Sequence, residues 1–295
     1  MNTHPMDDFP VRPLRFDLTD VAPEQFVWSN SCPEFSMFIN ALGLHVPYFE
    51  RFLVKVMRAY RDELEDPALR EDVRRIIGQE AHHAFNFVRW NERMAERYPG
   101  LAAVDAAALK GFEAAEAKKD KRFKVGFTAG YETFTFLAGM IILDRYEEFM
   151  ADAEPNMRAL WVWHQVEEVE HGAVAFDFYK AFYGEQEWYR RWMVFYAFAH
   201  IAKETFLAYR TMVPVECKGW RQRLKAWRFF GSLAKDLFVA SLPVYRRSYH
   251  PRNHPICNEE QNAVAIAWRA YHAAGSDVLH LDEQDVDAML GATSG

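Results

Sequence analysis

The chain has 295 residues and a formal net charge of −7, a balance that argues against general nucleic-acid binding. Hydrophobic residues make up 50% and charged residues 26%, enough for a sizeable core and too ordinary for a disordered or fibrous chain. Aromatics reach 16%, including 24 Phe and 9 Trp, which predicts wide aromatic packing around a pocket. The three cysteines, Cys32, Cys217 and Cys257, are far apart and form no C-x-x-C. They suit a reducing compartment and supply no disulfide framework. The first residues lack a basic segment followed by an apolar one, so no signal peptide is expected and the location is read as cytoplasmic.

Residues 1–33 are Pro-rich and read as an extended arm lying on the domain, strand-like over 11–18. Apolar positions recurring at three and four predict a first long helix over about 34–64, which Pro47 should kink or split. Asp66-Pro67 restarts a second helix that runs to Pro99-Gly100. An Ala-rich, charged helix over 101–119 belongs outside the core. A third long helix, about 123–150, is nearly all apolar from Val125 to Leu143 and carries one charge there, Glu132. Length alone would let it span a membrane. A buried carboxylate needs a partner, however, and this argues for a bundle interior and no transmembrane segment.

The fourth helix, about 155–182, contains Gln165-Val-Glu-Glu-Val-Glu-His171. Here Glu168-x-x-His171 puts a carboxylate and an imidazole on one helix face. A second copy, Glu80-x-x-His83, lies in the second helix. Glu50 precedes one copy and Glu132 the other. Two Glu-x-x-His helices plus one Glu from each of two others form the ligand set of a ferritin-like di-metal bundle. Glu50 and Glu80 are sixteen and thirteen residues from the 66–67 turn, so an antiparallel hairpin brings them level. Glu132 is 22 residues before Glu154 and Glu168 is 13 after Pro155. Those two come level only if the third helix ends early.

The expected metal ligands are therefore Glu50, Glu80, His83, Glu132, Glu168 and His171. His164 shares their face as an additional ligand or a hydrogen-bond donor. Glu167 and Glu170 are expected to face other helices or solvent. Four carboxylates neutralise two divalent ions, with iron expected and manganese or zinc as alternatives.

Two further helices, about 186–213 and 217–242, break at Pro214 and Pro243, and residues after 276 read as a loose tail. The organisation expected is an arm (1–33), a di-metal four-helix bundle (34–184), additional helices packed on it (185–275) and a tail (276–295), all-α throughout. Residues 218–252 are basic and rich in Trp and Phe. One reading lays this segment on anionic lipid. The preferred one makes it a solvated basic face pairing with the acidic remainder.

Asn40-Ala-Leu, Glu50-Arg-Phe, Ile77-Gly-Gln-Glu-Ala-His-His83, Trp163 through Asp177 and the late Tyr249-His-Pro251 resemble a bacterial family named "predicted metal-dependent hydrolase". The resemblance runs from about Arg12 to Trp268 and implies metal-dependent hydrolysis. The ligand pattern alone is similar to ferritin-like di-iron carboxylate proteins, whose commoner chemistry is oxygen activation. On the ligand types, the leading expectation is a non-haem di-iron oxidase or oxygenase. It would act on an apolar or aromatic small substrate, with an electron donor as a further partner and self-association open. A hydrolase using a metal-activated water is the alternative, and a non-catalytic membrane-surface protein is a third reading.

Overall fold

The computed structural model describes residues 4, 6–7, 9–19, 21–256 and 262–291. Among them the chain is all-α, with one isolated bridge, Ser29 to Ala153, and no strand. The segment expected to be strand-like, 11–18, therefore pairs with no neighbour. Cys257 lies outside the described residues.

The first predicted helix is two helices, α1 (Pro33–Gly43) and α2 (Val46–Tyr60), because Pro47 opens a new helix rather than kinking an old one. Helix α3 (Pro67–Arg97) starts on Asp66, whose side chain accepts from Ala68 N. Helix α4 (Leu101–Lys118), expected outside the core, is mostly exposed or half-buried but joins the core through Leu101, Ala108 and Phe112, the last packing on Phe49 and Phe52.

Helix α5 (Lys121–Asp144) is capped by Asp120 and ends six residues short of the predicted limit. A four-residue helix, α6 (Tyr146–Phe149), and a turn then lead to α7 (Pro155–Glu170), capped by Glu154. Glu132 thus lies twelve residues before the end of α5 and Glu168 thirteen after the start of α7, which brings the two level. Helix α5 is long and apolar enough to cross a membrane, but 89% of its apolar window is buried inside the protein.

The fourth predicted helix is interrupted at residues 171–173 and resumes as α8 (Val174–Tyr183). Gly172 sits at that break. A Cβ there would come within 2.5 Å of the Phe136 ring, so only glycine lets His171 approach α5 this closely.

Helix α9 (Glu187–Glu216) passes through Pro214, which costs one hydrogen bond in its last turn without ending it. It crosses α5 closely: a Cβ on Gly130 would meet the Met193 carbonyl oxygen at 2.5 Å. Helix α10 (Trp220–Ser241) returns antiparallel to α9, with Phe198–Phe238, Phe206–Trp227 and Tyr209–Phe230 ring centroids 5.2–5.4 Å apart. Helices α11 (Ala263–Ala273) and α12 (Glu283–Gly291) close the chain. The expected loose tail therefore contains a helix over most of its described part, anchored by buried Val286 and Met289.

Candidate metal centre

The seven candidate side chains reach the interior from four helices. Helix α2 supplies Glu50, α3 supplies Glu80 and His83, α5 supplies Glu132, and α7 with its C-cap supplies His164, Glu168 and His171. All seven are buried. They form two groups, Glu50/His83/His164/Glu168 and Glu80/Glu132/Glu168/His171, whose nitrogen and oxygen atoms lie within 4.8 Å of one another in each group. Glu168 belongs to both, with Oε1 3.2 Å from His164 Nε2 and 3.4 Å from His83 Nδ1, and Oε2 3.4 Å from His171 Nε2.

The electrostatics of this arrangement are unbalanced. Burial, and then repulsion from Glu80, pushes the Glu50 carboxyl well above the usual range and Glu132 up to about 8. Burial alone would push His83 and His171 down, yet the surrounding glutamates, Glu167 first for His83 and Glu168 first for His171, hold both imidazoles well above their usual value. Glu168 is held well below its usual range despite its burial, because His164 and His171 surround it. Protonated imidazoles beside Glu168, and raised carboxyls on Glu50 and Glu132, thus limit the negative charge buried in the centre.

Many atoms at the centre still lack a hydrogen-bond partner: Glu50 Oε2, both oxygens of Glu80 and of Glu132, Glu168 Oε2, His83 Nδ1 and His171 Nε2. Buried polar atoms are ordinarily satisfied. A set of orphaned oxygens and ring nitrogens facing one another is the donor chemistry of cations with carboxylate and imidazole ligands.

The outer ring nitrogens are all engaged, as metal-ligating histidines require. His171 Nδ1–H donates to Gln79 Oε1 at 3.0 Å, and Gln79 is oriented by donating from Nε2 to the Pro10 carbonyl at 3.2 Å and to Glu170 at 3.4 Å. His83 Nε2–H donates to Glu167 Oε2 at 2.9 Å. Arg12, from the N-terminal arm, donates to Glu167 at 2.9 Å and to both oxygens of Glu170 at 2.7 and 2.9 Å. The arm is therefore a structural part of the centre, and Trp268 of α11 covers the Arg12 guanidinium at 5.2 Å. Of the two expected directions, other helices or solvent, Glu167 and Glu170 take the first: both are fully buried, and this arginine gives their charges a partner. Periodicity along α7 carries no signal of an arginine 155 residues away.

His164 differs from the other two histidines. Burial pushes it down to about 3, so its ring is neutral. Its Nδ1 accepts from Gln165 Nε2 at 2.9 Å, which leaves a proton on Nε2, 3.3 Å from Glu50 Oε1. As arranged, it is a donor to the carboxylates rather than a lone-pair ligand. Two nearby buried tyrosines point elsewhere: Tyr131 donates to His45 Nδ1, and Tyr179 donates to the Gln186 carbonyl at 2.9 Å.

Two openings approach the centre. A polar cleft of about 560 Å³ between α2, α3 and α4 is lined by Arg51, Lys55, Arg58, Glu113 and Glu116 and includes Glu80 in its wall. On the other side an almost wholly apolar cavity of about 30 Å³ touches His164 and Gln165 and is bounded by Ile201 of α9 and Leu237 of α10.

A family match spans residues 10–255, under the description "predicted metal-dependent hydrolase". No curated protein and no solved structure matches the chain. The family match overturns the oxidative reading. Glutamate and histidine ligands select hard divalent cations in either chemistry, so ligand type alone does not choose the reaction. The cleft has Glu80 in its wall, although the Glu80 carboxylate itself is fully buried. The matched segment covers every residue of the centre, and the chain belongs to the family of predicted metal-dependent hydrolases.

Proposed function

We propose that this chain hydrolyses a small substrate at a centre that holds two divalent cations. Glu50, Glu80, His83, Glu132, Glu168 and His171 would bind them, with Glu168 common to both. The observation that carries this reading is the convergence of unpartnered carboxylate oxygens and imidazole nitrogens in one buried site. Divalent cations bound there would act as Lewis acids and lower the pKa of a water to make it nucleophilic near neutral pH.

The protein's own groups divide the remaining work. Gln79 and Glu167 fix the ring orientation of His171 and His83, and Arg12 holds Glu167 in place. His164 Nε2–H orients Glu50 through Oε1. Glu50 Oε2, which has no hydrogen bond, is left as its oxygen for a cation. Arg51 and Arg58, which form no ion pair among the described residues, give the cleft a positive wall against a polar or anionic leaving group. The cavity beside His164 would receive a short apolar substituent and keep bulk water off that side.

The test is an assay of the chain against ester, amide and phosphoester substrates after chelation and after reloading with Zn(II), Mn(II) or Fe(II) separately. One bond class should be cleaved, with activity lost on chelation and restored by at least one metal. Reversing Arg51 and Arg58 to Glu should lower kcat/KM with little change in metal content. No hydrolysis of any class with any of the three metals would contradict the proposal.

A further inference from the structure

The α9–α10 hairpin carries a surface that the hydrolytic centre does not use. Of the thirteen large apolar side chains exposed among the described residues, ten fall between Trp188 and Leu242. That concentration makes them one region rather than the scattered surface apolars normal for a folded chain. On α9, Trp188, Trp192, Phe195 and Phe206 follow a helical period along the outer face, and Trp188 is 80% exposed. On α10, Leu224, Val239 and Leu242 share the outward stripe with Arg228 and Lys235. Trp188, Trp192, Phe195, Phe238 and Leu242 line a groove of about 470 Å³ with Arg191.

The charge on this face has one sign. Glu204 pairs with Lys203 at 2.7 Å and Asp236 with Arg145 at 3.3 Å, and Lys225 is taken by Glu34 at 3.0 Å. Arg228 and Lys235 form no ion pair among the described residues. Lys225 thus pairs with an acidic side chain from elsewhere in the chain, whereas the two cations at the centre of the stripe are exposed.

We infer that the α9–α10 face is a docking surface for an anionic lipid bilayer. Exposed tryptophans beside cations are the composition of an interfacial helix, the rings settling at headgroup depth and the cations meeting lipid phosphate. A second copy of the chain fits less well. An isologous contact centred on this face would set Arg228 and Lys235 near their own copies, and lysine is depleted at interface cores. The inference is independent of the hydrolytic reading, although Ile201 and Leu237 place the apolar cavity directly behind these two helices.

The full chain is tested by co-sedimentation with vesicles of phosphatidylcholine alone and of phosphatidylcholine mixed with phosphatidylglycerol, alongside sedimentation velocity without lipid. Binding should require the anionic lipid. It should weaken by roughly fivefold for each cation removed in Arg228→Gln and Lys235→Gln. It should be lost in the Trp188→Ala/Trp192→Ala pair, whose exposed sites leave the thermal melt unchanged. Quenching of tryptophan fluorescence by brominated lipid in the parent but not in that pair would support the same conclusion. Absence of binding to either vesicle, or equal binding to both that the variants do not alter, would overturn it. So would self-association that the tryptophan pair abolishes in a chain that ignores vesicles, which would give the face to a second copy.

Discussion

The two halves of the centre are written in the same letters and backed by different chemistry. On one side His171 leans on a neutral amide, Gln79; on the other His83 leans on a carboxylate, Glu167, whose charge is balanced by Arg12. A carboxylate behind an imidazole makes it a stronger donor than an amide does. On the proposed reading, the sequence repeat of Glu and Glu-x-x-His gives two non-equivalent sites, and an ion on the Glu50/His83 side should be held more tightly. Outer partners, rather than the repeated ligands, set that difference.

Removing Arg12 is expected to have the largest effect on this asymmetry. Arg12→Ala leaves Glu167 and Glu170 buried without their main cation, a loss of about 3–5 kcal/mol of folding stability for a broken buried ion pair. Urea denaturation of the chelated protein measures it. A loss below ~1 kcal/mol would mean that Arg269, 3.4 Å from Glu170, carries the charge balance instead.

Next comes Glu167→Gln, which keeps the shape and removes the charge behind His83. It should weaken one ion by roughly 10–100-fold and leave the other within a few-fold, as read by competition with a chromophoric chelator. Equal weakening of both ions would erase the distinction between the halves. Gln79→Ala is the mirror experiment and should cost about tenfold, on the opposite ion, since only a neutral hydrogen bond is lost.

The same contrast separates what periodicity reveals from what it hides. The convergence of Glu50, Glu80, His83, Glu132, Glu168 and His171 was legible because side chains that meet from helices must obey the 3.6-residue repeat, and because a lone Glu132 in an apolar run needs a reason. The early end of α5 was legible as a requirement for bringing Glu132 level with Glu168, though not as a position. Arg12 and Gln79 were not legible: an arm has no period, and a glutamine beside a ligand gains meaning only when another helix meets it. The break after His171 was hidden too, since Gly172 matters through the distant Phe136 ring. The reaction was the least legible feature, because glutamate and histidine in this pattern suit more than one chemistry and the cleft beside Glu80 is built from three helices.

The central claim is that one carboxylate, Glu168, ties two cation sites into a single centre. Elemental analysis of the purified chain and of Glu168→Ala, each dialysed against the same metal buffer, tests it most directly. The account predicts two divalent ions per parent chain and a loss of both in the variant, with the helical circular dichroism retained. Two ions still bound in Glu168→Ala, or a parent chain that binds none, would contradict it.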